Sequence, residues 1–309
     1  NKAMNFEITG LNALMLVALC LPGFFLTKAN VLKEEHIKGF AVFLLYVCSP
    51  ALSIYSFQQA ECNREILINI GILLLVTTFM QVLIMGIGFL INIKTYKIDG
   101  ASRVATVAAA FGNVGFFGVP ILQALLPDHP EAIVYSAVMS VMMNLIGWTL
   151  GMFMMSGDRK HVSVKNFLIN PTTLCLLIAL PLFFTNTSFP KPVMNFVEFF
   201  SKMSTPTAMT VLGMRLAFVK FKDLMDYRQV VAIFLKLIAL PLITFGIMYA
   251  LPVDETLKIS TYILSCMPPA AITLNFAELS NTSPKTAANI VVVGSLLVAI
   301  TLPVLLLIA

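Results

Sequence analysis

The sequence predicts an all-α polytopic membrane protein with ten transmembrane helices. They form two inverted five-helix repeats, with broken, crossing helices at positions four and nine. Three observations carry this expectation. Apolar stretches long enough to cross a bilayer recur along the whole chain. Basic residues crowd into alternate loops. Prolines and helix breaks recur in the same order about 155 to 160 residues apart.

The first observation follows from composition. Of 309 residues, 59% are hydrophobic and only 11% are charged, with a mean hydropathy of +0.91. Crossing ~30 Å of hydrocarbon takes ~20 apolar residues, and little chain remains for a soluble domain. The spans are expected at 8–26, 37–57, 66–91, 101–126, 132–155, 167–185, 193–218, 229–250, 257–279 and 286–308. The first is read as a retained span and not a signal peptide. Its leading region carries both Lys2 and Glu7, and Pro22 and Gly23 follow without a small-x-small cleavage site. Residues 1–156 then make the first repeat, 157–166 a cytoplasmic linker and 167–309 the second repeat.

Charge sets the orientation. Lys28, Lys33 and Lys38 follow span one, and Lys94, Lys97 and Arg103 follow span three. Arg159, Lys160 and Lys165 follow span five. Arg215, Lys220, Lys222 and Arg228 flank the loop after span seven, and Lys285 follows span nine. Only Lys2, Arg64, Lys191, Lys202 and Lys258 fall on the other side. The positive-inside rule places the basic loops in the cytoplasm and both termini outside a cell membrane. The net charge of +5 follows membrane logic, and no nucleic-acid partner is expected.

The repeat is read from matched prolines. Pro22 is echoed by Pro181, "CSP" ending at Pro50 by "STP" ending at Pro206, and the string "FGNVGFFGVP" (111–120) by "CMPPAAITLN" (266–275). Five spans per repeat is odd, so the second copy enters the membrane from the opposite side. Inverted repeats with interrupted helices in matching positions are the architecture of secondary transporters.

Both breaks fall near the bilayer midplane. Asn113 lies ten residues beyond Arg103 and Pro268 ten beyond Lys258, ~15 Å at 1.5 Å per residue. Non-helical backbone is tolerated at that depth only where protein or a cavity covers it. Pro120 and Pro269 are expected to open fresh half-helices, whose N-termini attract anions. Gly112 and Gly115 let backbone approach closely. Asn113 either binds a substrate carboxylate or caps its half-helix. Thr273 and Asn275, one turn past Pro268 and Pro269, either face the same site or bond neighbouring helices.

Other polar residues in the spans are weaker candidates. Ser49 and Thr205 precede the matched prolines and are read mainly as partners of backbone freed by a kink. Asn144 and Gln81 either line a polar path or join helices. Lys236 lies ~12 Å from the cytoplasmic face, where it either snorkels outward or adds positive charge to an anion pathway. Glu278 is placed near the cytoplasmic interface, as a coupling site or an interfacial carboxylate. The spans contain no aspartate or histidine, and there is no HExxH, Gly-x-Ser-x-Gly or Walker motif. Neither an intramembrane hydrolase nor ATP drive within this chain is expected on that ground. The cysteines Cys20, Cys48, Cys62, Cys175 and Cys266 show no metal-ligand spacing, and no cofactor, metal or catalytic residue is expected.

The ten spans, the Gly-Asn-x-Gly-x-x-Gly-x-Pro string from Gly112 to Pro120 and the proline break in span nine resemble the auxin efflux carrier family. That family includes plant PIN carriers and bacterial permeases assigned to malate or malonate. The short loop between spans five and six is similar to that of the compact bacterial members. The resemblance implies movement of a small organic anion by an elevator mechanism, with Asn113 on the substrate carboxylate. Spans one, two, six and seven would form the scaffold and a homodimer contact; the others would move. The second break has no asparagine at its centre, only Asn275 further on. The fold is also similar to bile-acid sodium symporters, which makes a sodium-coupled organic anion symporter an alternative. A non-transporting membrane anion sensor and a channel are further rivals.

Overall fold

The computed structural model describes residues 6–219 and 226–308, with side chains from Gly10 onward except that of His161. Lys2, Lys220 and Lys222, and the side chain of Glu7, which entered the sequence reading, lie outside this set.

The described residues are all-helical apart from one isolated bridge. Six helices are long and apolar enough to cross a membrane: Gly10–Lys28, Glu34–Phe57, Arg64–Ile91, Glu131–Ser156, Tyr227–Ala250 and Pro284–Ile308. Each coincides with an expected span. Bulky apolar side chains such as Leu75, Phe79, Leu90, Leu177 and Ile300 point outward, as a lipid-facing surface requires and a water-facing one does not. The protein is membrane-embedded.

The other expected spans depart from simple apolar helices for separate reasons. The fourth and ninth are each cut in two, giving Gly100–Ala108 before Val114–Leu125, and Glu255–Ser265 before Ile272–Leu279. The sixth is divided at Asn170, whose side chain caps Thr172 N–H just before Pro171. The seventh is one helix, Lys191–Phe218, but it carries Lys191, Glu198, Lys202 and Arg215.

Lys191–Phe218 packs along Leu21–Lys28, Glu34–Phe43 and Ser49–Phe57. The contact with Leu21–Lys28 is backbone on backbone, since a β-carbon on Gly23 would strike the Thr210 carbonyl and one on Gly213 the Cys20 carbonyl. Elsewhere, Arg64–Ile91 packs on Glu131–Ile146, Leu240–Ala250 on Glu255–Ser265, and Pro284–Leu305 on both Phe6–Ala18 and Gly100–Ala108.

Some local structures recur at the spacing of the matched prolines. Asn30 and Asn186 both take left-handed backbone, with φ of 57° and 50°. Each ends a helix with the same bonds: Val31 N–H to Leu26 C=O in one case, Thr187 N–H to Leu182 C=O in the other. This is the Schellman pattern, and asparagine tolerates the αL position. Asp99 and Asp254 likewise cap the first halves of the two broken helices, accepting from Ala101 N–H and Leu257 N–H.

Candidate functional site

The two breaks meet each other. Gly112 and Pro269 form an antiparallel bridge. Asn113 N–H donates to Pro268 C=O at 2.7 Å, and Ala270 N–H donates to Phe111 C=O at 3.0 Å. These bonds flank the Gly112–Pro269 pair, which is therefore the position in an antiparallel ladder that exchanges none of its own. Proline fits there because its missing N–H is not needed.

This geometry revises how the half-helices begin. Val119–Leu125, with Pro120 in its first turn, continues a π-helical turn, Val114–Gly118, so the helix restarts at Val114. Asn113 is the residue before it, at φ −79° and ψ 63°. Pro269 lies in the bridge itself, and its helix restarts only at Ile272. The bridge takes extended backbone from both chains, which displaces each helix start from the proline expected to make it.

Four helix ends now surround one point. Gly100–Ala108 and Glu255–Ser265 arrive with their C-termini, whereas Val114–Leu125 and Ile272–Leu279 leave with their N-termini. C-termini carry partial negative charge and N-termini partial positive charge. Asn113 sits at the positive side. Its N–H is held by Pro268, and its C=O accepts from Phe117 N–H at 3.3 Å and Gly118 N–H at 3.1 Å. Its half-buried side-chain amide bonds to none of the described residues.

Carbonyls freed by the first break are met by side chains from other helices. Ser136 Oγ donates to Val114 C=O and Thr205 Oγ1 to Phe116 C=O, each at 2.7 Å. Thr205 therefore serves the neighbouring break as well as preceding a proline. Thr273 Oγ1 donates to Ala270 C=O at 2.7 Å, so its hydroxyl closes its own half-helix start. Ser136 carried no local signal in the sequence, because its role arises only from the crossing.

Lys236 also belongs to the crossing. It is 1% exposed, and its Nζ donates to Ser265 C=O at 2.7 Å. A β-carbon on Gly112 would lie 3.1 Å from both Cε and Nζ of Lys236. The ammonium is held inside against the bridge and does not snorkel.

The remaining candidates have other surroundings. Gly115 faces Leu52. Ser49 is buried at the start of Ser49–Phe57. Asn144 donates to Ser140 C=O in its own helix at 2.8 Å. Glu278 is exposed and pairs with Arg215 at 3.5 Å. Asn275 is exposed on Ile272–Leu279. Thus Gly112, Asn113, Pro268, Pro269 and Lys236 are brought together, while Asn144 and Glu278 are engaged elsewhere.

Helices broken against each other inside an apolar helical shell are the hallmark of membrane transport proteins. The chain belongs to the membrane transport protein family, which includes the PIN-like auxin efflux carriers; the family match covers residues 12–306. It is 24% identical over 307 residues to the uncharacterized transporter YfdV of Escherichia coli strain K12, covering 94% of each chain. It is 23% identical over 285 residues to the uncharacterized transporter MJ1031 of Methanocaldococcus jannaschii, covering 89% of this chain and 91% of that one. These relationships support a membrane transporter and not an enzyme.

Proposed function

We propose that the protein is a secondary carrier of a small organic anion, a mono- or dicarboxylate, bound at the crossing of the two broken helices. The observation that carries this reading is Asn113. Its backbone is fixed on both sides by the bridge and the π turn, whereas its amide has no partner among the described residues and sits at the positive helix ends. A carboxylate there gains an amide donor and favourable dipoles, in a region where the only fully buried charged side chain among the described residues is cationic.

In this reading the chain has ten spans in two inverted repeats, 1–156 and 167–309, joined by 157–166. The matched asparagine caps, the matched aspartate caps and the symmetric pairing about Gly112 and Pro269 support it. Spans one, two, six and seven form the scaffold and a homodimer contact, and the rest carry the site across the bilayer by an elevator movement. The packing of Lys191–Phe218 on the first two spans fits such a scaffold. Both termini lie outside a cell membrane.

The test is uptake of labelled malate, malonate, citrate and indole-3-acetate into liposomes, for wild type and Asn113→Ala, with and without sodium. Saturable uptake of one anion, lost in the variant, is expected. Uptake unchanged in Asn113→Ala rejects the site, and binding without flux favours a sensor.

A further inference from the structure

We propose that the crossing contains a monovalent-cation site, and that the protein fills it with its own Lys236 ammonium in place of a free ion. The proposal does not depend on which substrate, if any, is carried.

The starting point is the negative half of the crossing. Gly100–Ala108 and Glu255–Ser265 both end beside the bridge. Each C-terminus carries roughly −0.5 of a charge, so together they amount to about one negative charge. Lipid cannot satisfy carbonyls freed there, so protein groups must. Lys236 Nζ meets the Ser265 carbonyl at 2.7 Å.

The ammonium needs such a partner. At 1% exposure it is the one charged side chain among the fully buried described residues, and no described carboxylate pairs with it. A buried ammonium without compensation is strongly unfavourable. The convergent helix ends provide the compensation, and a tethered cation reaches them without the entropy loss of capturing a free one.

A second observation points to the same place. Next to Ser265 is an enclosed cavity of about 20 Å³, lined in part by Thr77, Gln81 and Thr261. Each of these three is 2% exposed. Both amide atoms of Gln81 and the hydroxyls of Thr77 and Thr261 have no hydrogen-bond partner among the described residues. The pocket is of ion or water size, but its exposed lining is almost wholly apolar, and the Lys236 ammonium meets the carbonyl of Ser265, one of the lining residues. That charge repels a second cation strongly in a low-dielectric interior. A free cation would find few exposed oxygens there, so the cation position at the crossing is the one Lys236 takes.

The experiment is thermal unfolding of the purified full chain in detergent. Salts are compared at equal concentration: choline, sodium, lithium and ethylammonium chlorides. The variants are Lys236→Met, which keeps length without charge, and Lys236→Ala, which vacates the space. Wild type is expected to unfold at the same temperature in sodium as in choline. Lys236→Met is expected to unfold at least ~5 °C lower. Lys236→Ala is expected to drop similarly and to be raised again, by ~3 °C or more, by ethylammonium or sodium at ~100 mM. Lys236→Met unfolding with wild type would overturn the proposal, because the side chain would then only fill space. Sodium stabilising wild type would also overturn it, because a free-ion site would then exist. If Lys236→Ala does not fold, the Lys236→Met and wild-type results decide alone. None of these readouts involves uptake, so failure of the carrier reading leaves them intact.

Discussion

Gly294 lies flat against the ring of Pro269, so that a β-carbon on Gly294 would sit 2.6 Å from Pro269 Cγ and closer still to Cδ. The Pro284–Leu305 helix thus presses on the bridge through a residue with no side chain. Gly294→Val is expected to force the bridge aside. Overpacking a tight core costs ~1–3 kcal/mol, which in a chain of 309 residues lowers the unfolding midpoint by ~1.5–5 °C. Thermal unfolding in detergent checks this; a variant as stable as wild type would mean that the bridge is not held from this side.

Asn113 separates folding from function. Its amide bonds to no described residue, so Asn113→Ala should leave the unfolding midpoint within ~1 °C while uptake falls ~10-fold or more, the worth of one hydrogen bond to a charged group. Asn113→Asp sharpens the test. A carboxylate at the positive helix ends stabilises the fold, yet it repels an anionic substrate. The expected outcome is a midpoint equal to or above wild type with uptake abolished. An Asp variant that still carries the anion would remove Asn113 from the site.

The features legible in sequence are those written locally. Apolar length marks the six long helices, and clustered glycine and proline mark both breaks, because these residues act on the backbone where they stand. The pairing of the breaks is different. That Pro269 serves as a ladder residue, and that its helix restarts three residues later, follows from Gly112 lying opposite. Likewise, Lys236 read alone is a lysine one third of the way into a helix. Its place beside Gly112 and Ser265 depends on helices packed from distant parts of the chain. The same holds for Ser136 and Thr205, whose acceptors lie in the fourth expected span.

Two sets of glycines can be separated by a stability scan. Gly23 and Gly213 each face backbone of the opposite helix, with no flexible side chain able to yield. Gly71, Gly86 and Gly246 are open, and a β-carbon added at any of them would meet nothing within 4 Å. Gly23→Ala and Gly213→Ala are expected to lower the midpoint by several degrees or prevent folding, because two helices must move apart. Gly86→Ala and Gly246→Ala are expected to be neutral or to raise stability by up to ~1 kcal/mol through helix propensity. Similar losses in both groups would mean that the Leu21–Lys28 and Lys191–Phe218 helices are not in backbone contact.

Tyr96, in the turn after Arg64–Ile91, gives the fold an alkaline limit. Its hydroxyl donates to Met154 C=O at 2.5 Å, and its ring packs edge-on against Phe89 at 4.8 Å. Burial pushes its phenol up to about 12, against the opposing pull of nearby Arg103. In the unfolded chain the same phenol ionises near ~10. Below that pH both states are neutral, and Tyr96 adds no pH dependence. As pH rises from about 10 through about 12, the unfolded chain releases a proton that the folded chain still holds, and stability falls. Tyr96→Phe should lose ~1 kcal/mol at neutral pH from the missing hydrogen bond. It should then fall less steeply than wild type in alkali, so that the two midpoints converge between pH ~8 and ~12. The other tyrosines titrate equally in both proteins, so a gap that stays constant over this range would show that Tyr96 ionises freely in the folded state.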